Sequence, residues 1–500
     1  MSEKDLGIKD QIKVDVNESD GSSSVALEDI NIPFKQKWKL FWSAKNPKNL
    51  SEKQPFFLWS PPGRSSYEKK LVFKLDCIIL SYVCLSFFVR WLDASNVNNA
   101  YVSGMQEDLK MHGNMYNWLT RGFYLAYAVS GLPMTLLVTK VRPSILLPTL
   151  EILWGIVCLL VITCKTYKQI LAVRVIQGFL EGVDLTKRSS LYAASGSLGA
   201  MFGGYIQSGV YRSLNNKGGL PGWKWIFVVD FIITIPIAIL GFFIIPDTPD
   251  RPRVIKGILS AEDIEFCKER VKVVSVTSGK KALGFGVVKK LLTSWQFWLF
   301  SWYYLIANLP NDAGSYWGIV LKEQGYNVYQ RNNIPTTQSA MNVFALFLGG
   351  IYCDFRGVKW DGAAICHGFW LVGIAILVKY DVPQAVQFLG FILVGFTGIC
   401  TNICCTWAQE MTREDPQLRA GTLGMMNLAL IPVSTVFSLF AFNTKYAPRF
   451  EKGTRICLVF LIISFFTGFV ALAFDRYQRR KRDLIEEKIN GETPEDTEVF

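Results

Sequence analysis

Histidine is almost missing from this 500-residue chain, which carries only His112 and His367. Proton handling near neutral pH therefore falls to carboxylates rather than imidazoles. Charge is also scarce, at 19% of residues against roughly a quarter in soluble domains. Together with the long apolar runs, that shortage excludes a soluble enzyme. No nucleophile motif, phosphate-binding loop or pore-loop signature appears. The first residues, 1–31, hold no apolar core of a cleavable leader, so the first spanning helix is expected to be its own insertion signal. The 11 cysteines lie mostly inside apolar runs (Cys77, Cys84, Cys158, Cys353, Cys400, Cys404, Cys405, Cys457) and form no disulfide frame of a small extracellular domain. With so few histidines, Cys400, Cys404 and Cys405 read as helix packing, not as a metal site.

What the chain has is hydrophobicity at bilayer-spanning length. Half its residues are hydrophobic, and runs such as 72–89 and 226–245 recur along it. Charges collect before residue 74, over 251–290 and after 475. This pattern predicts an all-α integral membrane protein: a cytoplasmic tail over 1–71 with an apolar-basic patch at 34–42, a six-helix lobe over 72–246, a cytoplasmic loop over 247–293, a second six-helix lobe over 294–474 and a cytoplasmic tail over 475–500. The spans are expected at about 72–94, 115–138, 144–164, a fourth from Gln169, 189–211, 224–246, 294–320, 334–353, 361–379, 384–408, 420–442 and 456–474. Ser260 before Glu262 and Asp263 marks a short surface helix in the loop. The cluster Arg476, Arg479, Arg480, Lys481 and Arg482 and the basic excess of the central loop place the tails and loop inside, and both contribute to the net charge of +12. No nucleic-acid module accompanies it. Six spans, a basic loop and six more are the outline of a two-lobed secondary transporter.

Charges inside apolar spans are the candidate working parts, because each costs several kcal/mol unless paired or hydrated. They are Arg90 and Asp93 in span one, Arg121 in span two, Glu151 in span three, Arg174 and Glu181 in span four, Asp230 in span six and Asp312 in span seven. Arg174, Gly178 and Glu181 share one helix face, which suits a proton relay. The competing reading puts these charges at helix ends, snorkelling to the interface. Trp295, Trp298, Trp302, Tyr303, Tyr304 and Trp317 read first as interfacial belt and packing.

Several stretches carry a family resemblance: Lys74-Leu75-Asp76; Leu92-Asp93 with Asn96 and Asn99 to Met105; Glu107-Asp108-Leu109; Gly222-Trp223-Lys224-Trp225 with Asp230; Pro246-Asp247; Asp354-Phe355-Arg356-Gly357; and Trp407-Ala408-Gln409 with Arg413, Arg419, Met426 and Asn427. The sequence resembles a fungal anion:cation symporter of the allantoate and pantothenate permease type, within the major facilitator superfamily. The resemblance implies a two-lobed bundle of about 12 transmembrane helices (6+6). It implies proton-coupled symport of a small organic anion by alternating access, with no cofactor beyond the proton gradient. Asp93, Arg174 and Glu181 are the implied proton-coupling residues. Ala94 stands where relatives often place an Arg, so anion binding is assigned to Arg90 and Arg121, with Asn99 and Asn427. A monomeric, multi-pass protein of the plasma membrane follows.

One departure is large. Relatives continue span four well past the Arg-Gly-Glu face, whereas here Glu181 runs at once into Asp184, Lys187 and Arg188. About 16 residues remain, or ~24 Å of helix, against a hydrocarbon core of ~30 Å. A truncated fourth helix, shorter than in relatives by roughly one span's length of ~20 residues, favours the alternative of a non-transporting nutrient sensor or impaired relative.

Overall fold

The computed structural model describes residues 66–181, 189–247, 260, 262–266, 268, 285–356, 359–412 and 415–492. The expected tail up to residue 65 with its patch at 34–42, the 182–188 junction and most of the central loop lie outside the described residues. Chain contacts separate a unit over Pro55–Gly468 from a second made of Met1–Gln54 and Phe469–Phe500. Of the second, only the continuation of the final helix is described.

Every described regular element is helical. The first lobe comprises α1 (Ser66–Asp108), α2 (Met115–Lys140), α3 (Pro143–Thr163), α4 (Tyr167–Leu180), α5 (Ser189–Leu214) and α6 (Gly222–Ile244). After the central segment come α7 (Phe285–Thr293), α8 (Trp295–Asn308), α9 (Trp317–Glu323) and α10 (Val328–Asn333). Then follow α11 (Thr336–Arg356), α12 (Trp360–Lys379), α13 (Gln384–Met411), α14 (Pro416–Ala441) and α15 (Glu451–Glu492). By length and composition alone, α1, α3, α6, α12, α13, α14 and α15 can cross a bilayer. The remaining spans are diluted by polar and small residues (α2, α5, α11), shortened (α4) or broken (α8 and α9).

Two elements differ from expectation, and the fourth helix is short as expected. The first helix does not end at residue 94 but runs to Asp108, because Asp93, Asn96 and Asn99 point into the protein and are buried. A drop in hydropathy there marks an inward face, not a helix end. The seventh span bends through Leu309–Asn311 and a helical turn at Asp312–Ser315 before α9. Helix α4 is a single regular stretch of 14 residues.

Small residues let the helices approach closely, the main source of packing attraction where lipid is as apolar as the side chains. Within the first lobe α1 packs on α5, α2 on α4 and α3 on α6. A Cβ on Gly178 would fall onto the Phe123 carbonyl oxygen, and one on Gly199 onto that of Phe88. Motif residues turn out to be fasteners. Trp223 Nε1 donates to Asp108 Oδ2 (2.6 Å), tying the end of α1 to the start of α6. Lys224 Nζ donates to the carbonyls of Ile162 and Cys164 (2.8 Å each), satisfying the orphan oxygens at the end of α3. Asp247 Oδ1 accepts from the Ser144 amide at the start of α3 (2.8 Å). The expected start at Ser260 is present: Ser260 Oγ accepts from the Asp263 amide and Asp263 Oδ2 from the Ser260 amide (3.1 Å each). Asp263 also accepts from Tyr67 (2.7 Å) and pairs with Lys74 (3.2 Å), so the central segment lies at the N-terminal end of α1.

At the opposite end of α1 the lobes close on each other. A wide helical turn over Tyr101–Met105, with Gly104 at φ +121°, breaks the regular ladder. Beside it the Val102 carbonyl accepts from Arg331 (3.3 Å) and Ser103 Oγ from Asn332 (3.0 Å). Lys322 pairs with Glu107 (2.7 Å), and Thr444 donates to the Gly113 carbonyl (2.5 Å).

Candidate functional site

Inside the first lobe, α1 and α4 face each other with charges matched in sign. Arg174 Nη1 lies 3.3 Å from Asp93 Oδ2, and both side chains are almost wholly buried. One helical turn beyond Arg174, Gln177 accepts from Arg174 at 2.8 Å. Its amide nitrogen donates to Asp93 in a short contact and to Glu181 Oε1 at 3.1 Å. Glu181 Oε2 in turn lies 3.3 Å from Arg90 Nε, too far off axis to accept a hydrogen bond. The chain Asp93–Arg174–Gln177–Glu181–Arg90 thus runs along the α1–α4 seam. Aromatic faces shield both cations: Phe123 lies 4.4 Å from the Arg174 guanidinium carbon and Tyr127 4.7 Å from that of Arg90. Such a buried, paired network is expensive to disturb by halves, because deleting one partner strands the other.

Behind Asp93 sits a second layer. The Cys158 sulfur lies 2.9 Å from Asp93 Oδ1 and 3.5 Å from Asp230 Oδ2, so its single S–H proton donates to one carboxyl at a time. On the other side, Glu151 accepts from Tyr82 (2.8 Å) and, in a short contact, from Ser86. A cavity of about 60 Å³ connects Tyr82, Ser86, Arg90, Glu151, Trp154 and Glu181. It has room for about two waters at roughly 30 Å³ each.

Arg121 lies elsewhere. Its Nη2 meets Asp312 Oδ1 at 2.5 Å and its Nη1 reaches Ser434 at 3.4 Å, which joins α2 of the first lobe to the seventh span and α14 of the second. Next to it, Tyr316 donates to Asn117 (2.7 Å) and shares a hydrogen bond with Ser438 (2.8 Å).

The structure therefore brings Asp93, Arg174, Glu181 and Arg90 into one network and leaves Arg121 in a separate interlobe pair. Asn99 is also apart: its amide nitrogen has no partner, and it packs beside Gly203 of α5. Asn427 is exposed on α14 and accepts from Tyr304 at 3.3 Å. Asp93 does not snorkel from a helix end; it is fully buried. Gln177 and Cys158 are functional neighbours the sequence reading passed over. Gln177 lies three residues from Arg174 on the named face, so its signal was present; Cys158 reaches the site from α3, and no spacing announces it. Trp298 and Trp302 are exposed on α8 as a belt would be, whereas Tyr303, Tyr304 and Trp317 are buried. His367 is a core residue, hydrogen-bonded through its two ring nitrogens to the Ala363 carbonyl and Ser464.

Two six-span lobes closed at one end, with paired charges in the interior, define a polytopic secondary transporter and not an enzyme. The chain belongs to the Major Facilitator Superfamily, whose model matches residues 83–430. It is similar to the MFS transporter PfmaC of Pestalotiopsis fici, 33% identical over 462 residues that cover 87% of this chain and 86% of that protein. A pantothenate transporter of Saccharomyces cerevisiae is 28% identical, with 83% and 85% covered. Among solved structures, a bacterial homologue of the human lysosomal transporter Spinster matches with a TM-score of 0.56 at 15% identity, covering 84% of this chain and 99% of that one. This last likeness speaks for the fold alone.

Proposed function

We propose that the protein is a proton-coupled symporter of a small organic anion, of the allantoate and pantothenate permease type, acting as a monomer in the plasma membrane. The observation that carries this reading is the Asp93–Arg174–Gln177–Glu181–Arg90 chain. Two guanidinium groups held by carboxylates can release a carboxylate to a proton and accept a carboxylate- or sulfonate-bearing substrate in its place, and Arg offers that group bidentate pairing. The proton gradient is the sole energy source and no cofactor takes part. With the tails and central segment inside, the closed end between the lobes faces outward. The conformation is then inward-facing, with Arg121 and Asp312 in the outer gate. Asn99 and Asn427 are assigned substrate contact on the family resemblance alone.

Cells expressing the chain should accumulate labelled pantothenate, the probe suggested by the relatives, more at acidic than at neutral external pH. Glu181→Gln should abolish that dependence. Absence of uptake of this or any other organic anion, despite delivery to the surface, would overturn the reading.

A second reading, a nutrient sensor or impaired relative, is favoured by one observation: α4 stops at Leu180 after 14 residues, or ~21 Å of helix. Uptake decides between the two.

A further inference from the structure

Counting charge in the buried network exposes a carboxylate with no counterion. Arg174 answers Asp93 and Arg90 answers Glu181. Asp230, 2% exposed in the middle of α6, has no Lys, Arg or His partner among the described residues. Its Oδ1 has no hydrogen bond at all, and its Oδ2 receives only the long contact from the Cys158 thiol. Yet one atom each of Asp93, Cys158 and Asp230 falls within 4.8 Å of the others. Two carboxylates this close in a buried site do not both stay ionised without a second cation. The single nearby guanidinium is already committed to Asp93.

We propose that Asp230 is a proton-binding residue of the transport cycle, holding one proton that it shares with Asp93 across the Cys158 thiol while Arg174 is paired with Asp93. The inference rests on the proton-coupled reading above and adds a carrier to it. The balance is simple. One proton joins Asp230, no other bond forms or breaks, and the cluster of Asp93, Asp230 and Arg174 goes from −1 to neutral. When a substrate anion draws Arg174 away, Asp93 becomes the better base and the proton can pass to it.

The groups facing Asp230 are few. From α1 comes Asp93, from α3 Cys158 with Glu151 two turns further along, and from α4 Arg174 and Glu181. Among the described titratable side chains of α5, Tyr205 and Arg212 are exposed and Tyr211 packs against Gly222. Among the described residues of these elements, no buried cation is left to neutralise Asp230.

Infrared spectroscopy of the purified full-length protein at neutral pH tests the assignment without a substrate. A carbonyl stretch of a protonated, buried carboxylic acid should be present. One component should vanish in Asp230→Asn, move in Cys158→Ser (which keeps both carboxyls) and persist in Glu151→Gln. A band unmoved by both Asp230→Asn and Cys158→Ser would overturn the proposal. In uptake of labelled pantothenate, Asp230→Asn should flatten the rise from neutral to acid pH, and an unchanged rise would remove Asp230 from the cycle. Lack of pH-dependent uptake in the parent protein would instead defeat the symport reading and leave the infrared assignment standing.

Discussion

Gln177 shows how much a neutral residue can matter among charges. It touches three of the four ionised groups in its seam: Arg174 as acceptor, Asp93 and Glu181 as donor. Hydrogen bonds to charged groups contribute about 1.5–3 kcal/mol each. Gln177→Ala should therefore lower anion uptake about tenfold or more while leaving surface delivery intact, which flux corrected for surface protein would measure. Unchanged flux would mean the seam is only structural. A pH effect is also expected outside the membrane, at Asp263. The Tyr67 hydroxyl, then the Ser260 amide and Lys74, hold its carboxyl down at about 2. Its folded value is below the unfolded one of ~3.9, so its stabilisation is complete above about pH 4 and is lost as pH falls toward 2. Asp263→Asn should melt below the parent at pH 7, and the gap should shrink to about half by pH 3 and close only below about pH 2. A gap that widened in acid would reverse this sign. Of the site, the ionised members were legible because charge inside an apolar run is conspicuous. Their pairing was not. Arg121 and Arg90 looked alike in sequence, and only the fold sends one to Glu181 and the other across to Asp312.

At the scale of helices, hydropathy located nearly every span but misjudged where polar faces turn inward. The expected end of span one at residue 94 and the unbroken span seven both failed for this reason. Asp93, Asn96, Asn99 and Asp312 lower hydropathy because they face protein, and Pro310 with the Asp312 turn bends the backbone. The tight α2–α4 contact, which sets α4 in place beside the site, gives an element-scale prediction. Gly178 lies against the Phe123 carbonyl, so Gly178→Ala must push backbone from backbone. Overpacking of this kind costs about 1–3 kcal/mol or more. The variant should lose both thermal stability and flux. Gly209→Ala on α5, where a Cβ meets nothing within 4 Å, should be neutral or slightly stabilising. Equal melting temperatures for the two variants would show that the α2–α4 seam yields more readily than its geometry implies.

Across the whole molecule, the described polar ties between lobes gather at the end of α1 remote from the central segment, and Arg121–Asp312 is the most buried ion pair among them. Alternating access requires that end to open, so these contacts set the balance between the two states. Removing one partner of a buried ion pair costs about 3–5 kcal/mol in the state that buries it. An opened gate would let water solvate the remaining Arg, so the cost falls mainly on the closed state. Each ~1.4 kcal/mol is a factor of ten in population, so Asp312→Asn should raise the open fraction by about a hundredfold or more. Ser438 is fully buried beside Tyr316 in this gate. In a background without reactive native cysteines, Ser438→Cys should resist a membrane-impermeant maleimide added outside, and Asp312→Asn should make it label readily. Labelling that stayed low would mean that the Lys322–Glu107 and Asn332–Ser103 contacts hold the gate without the ion pair. Labelling only from the inner side would invert the proposed orientation.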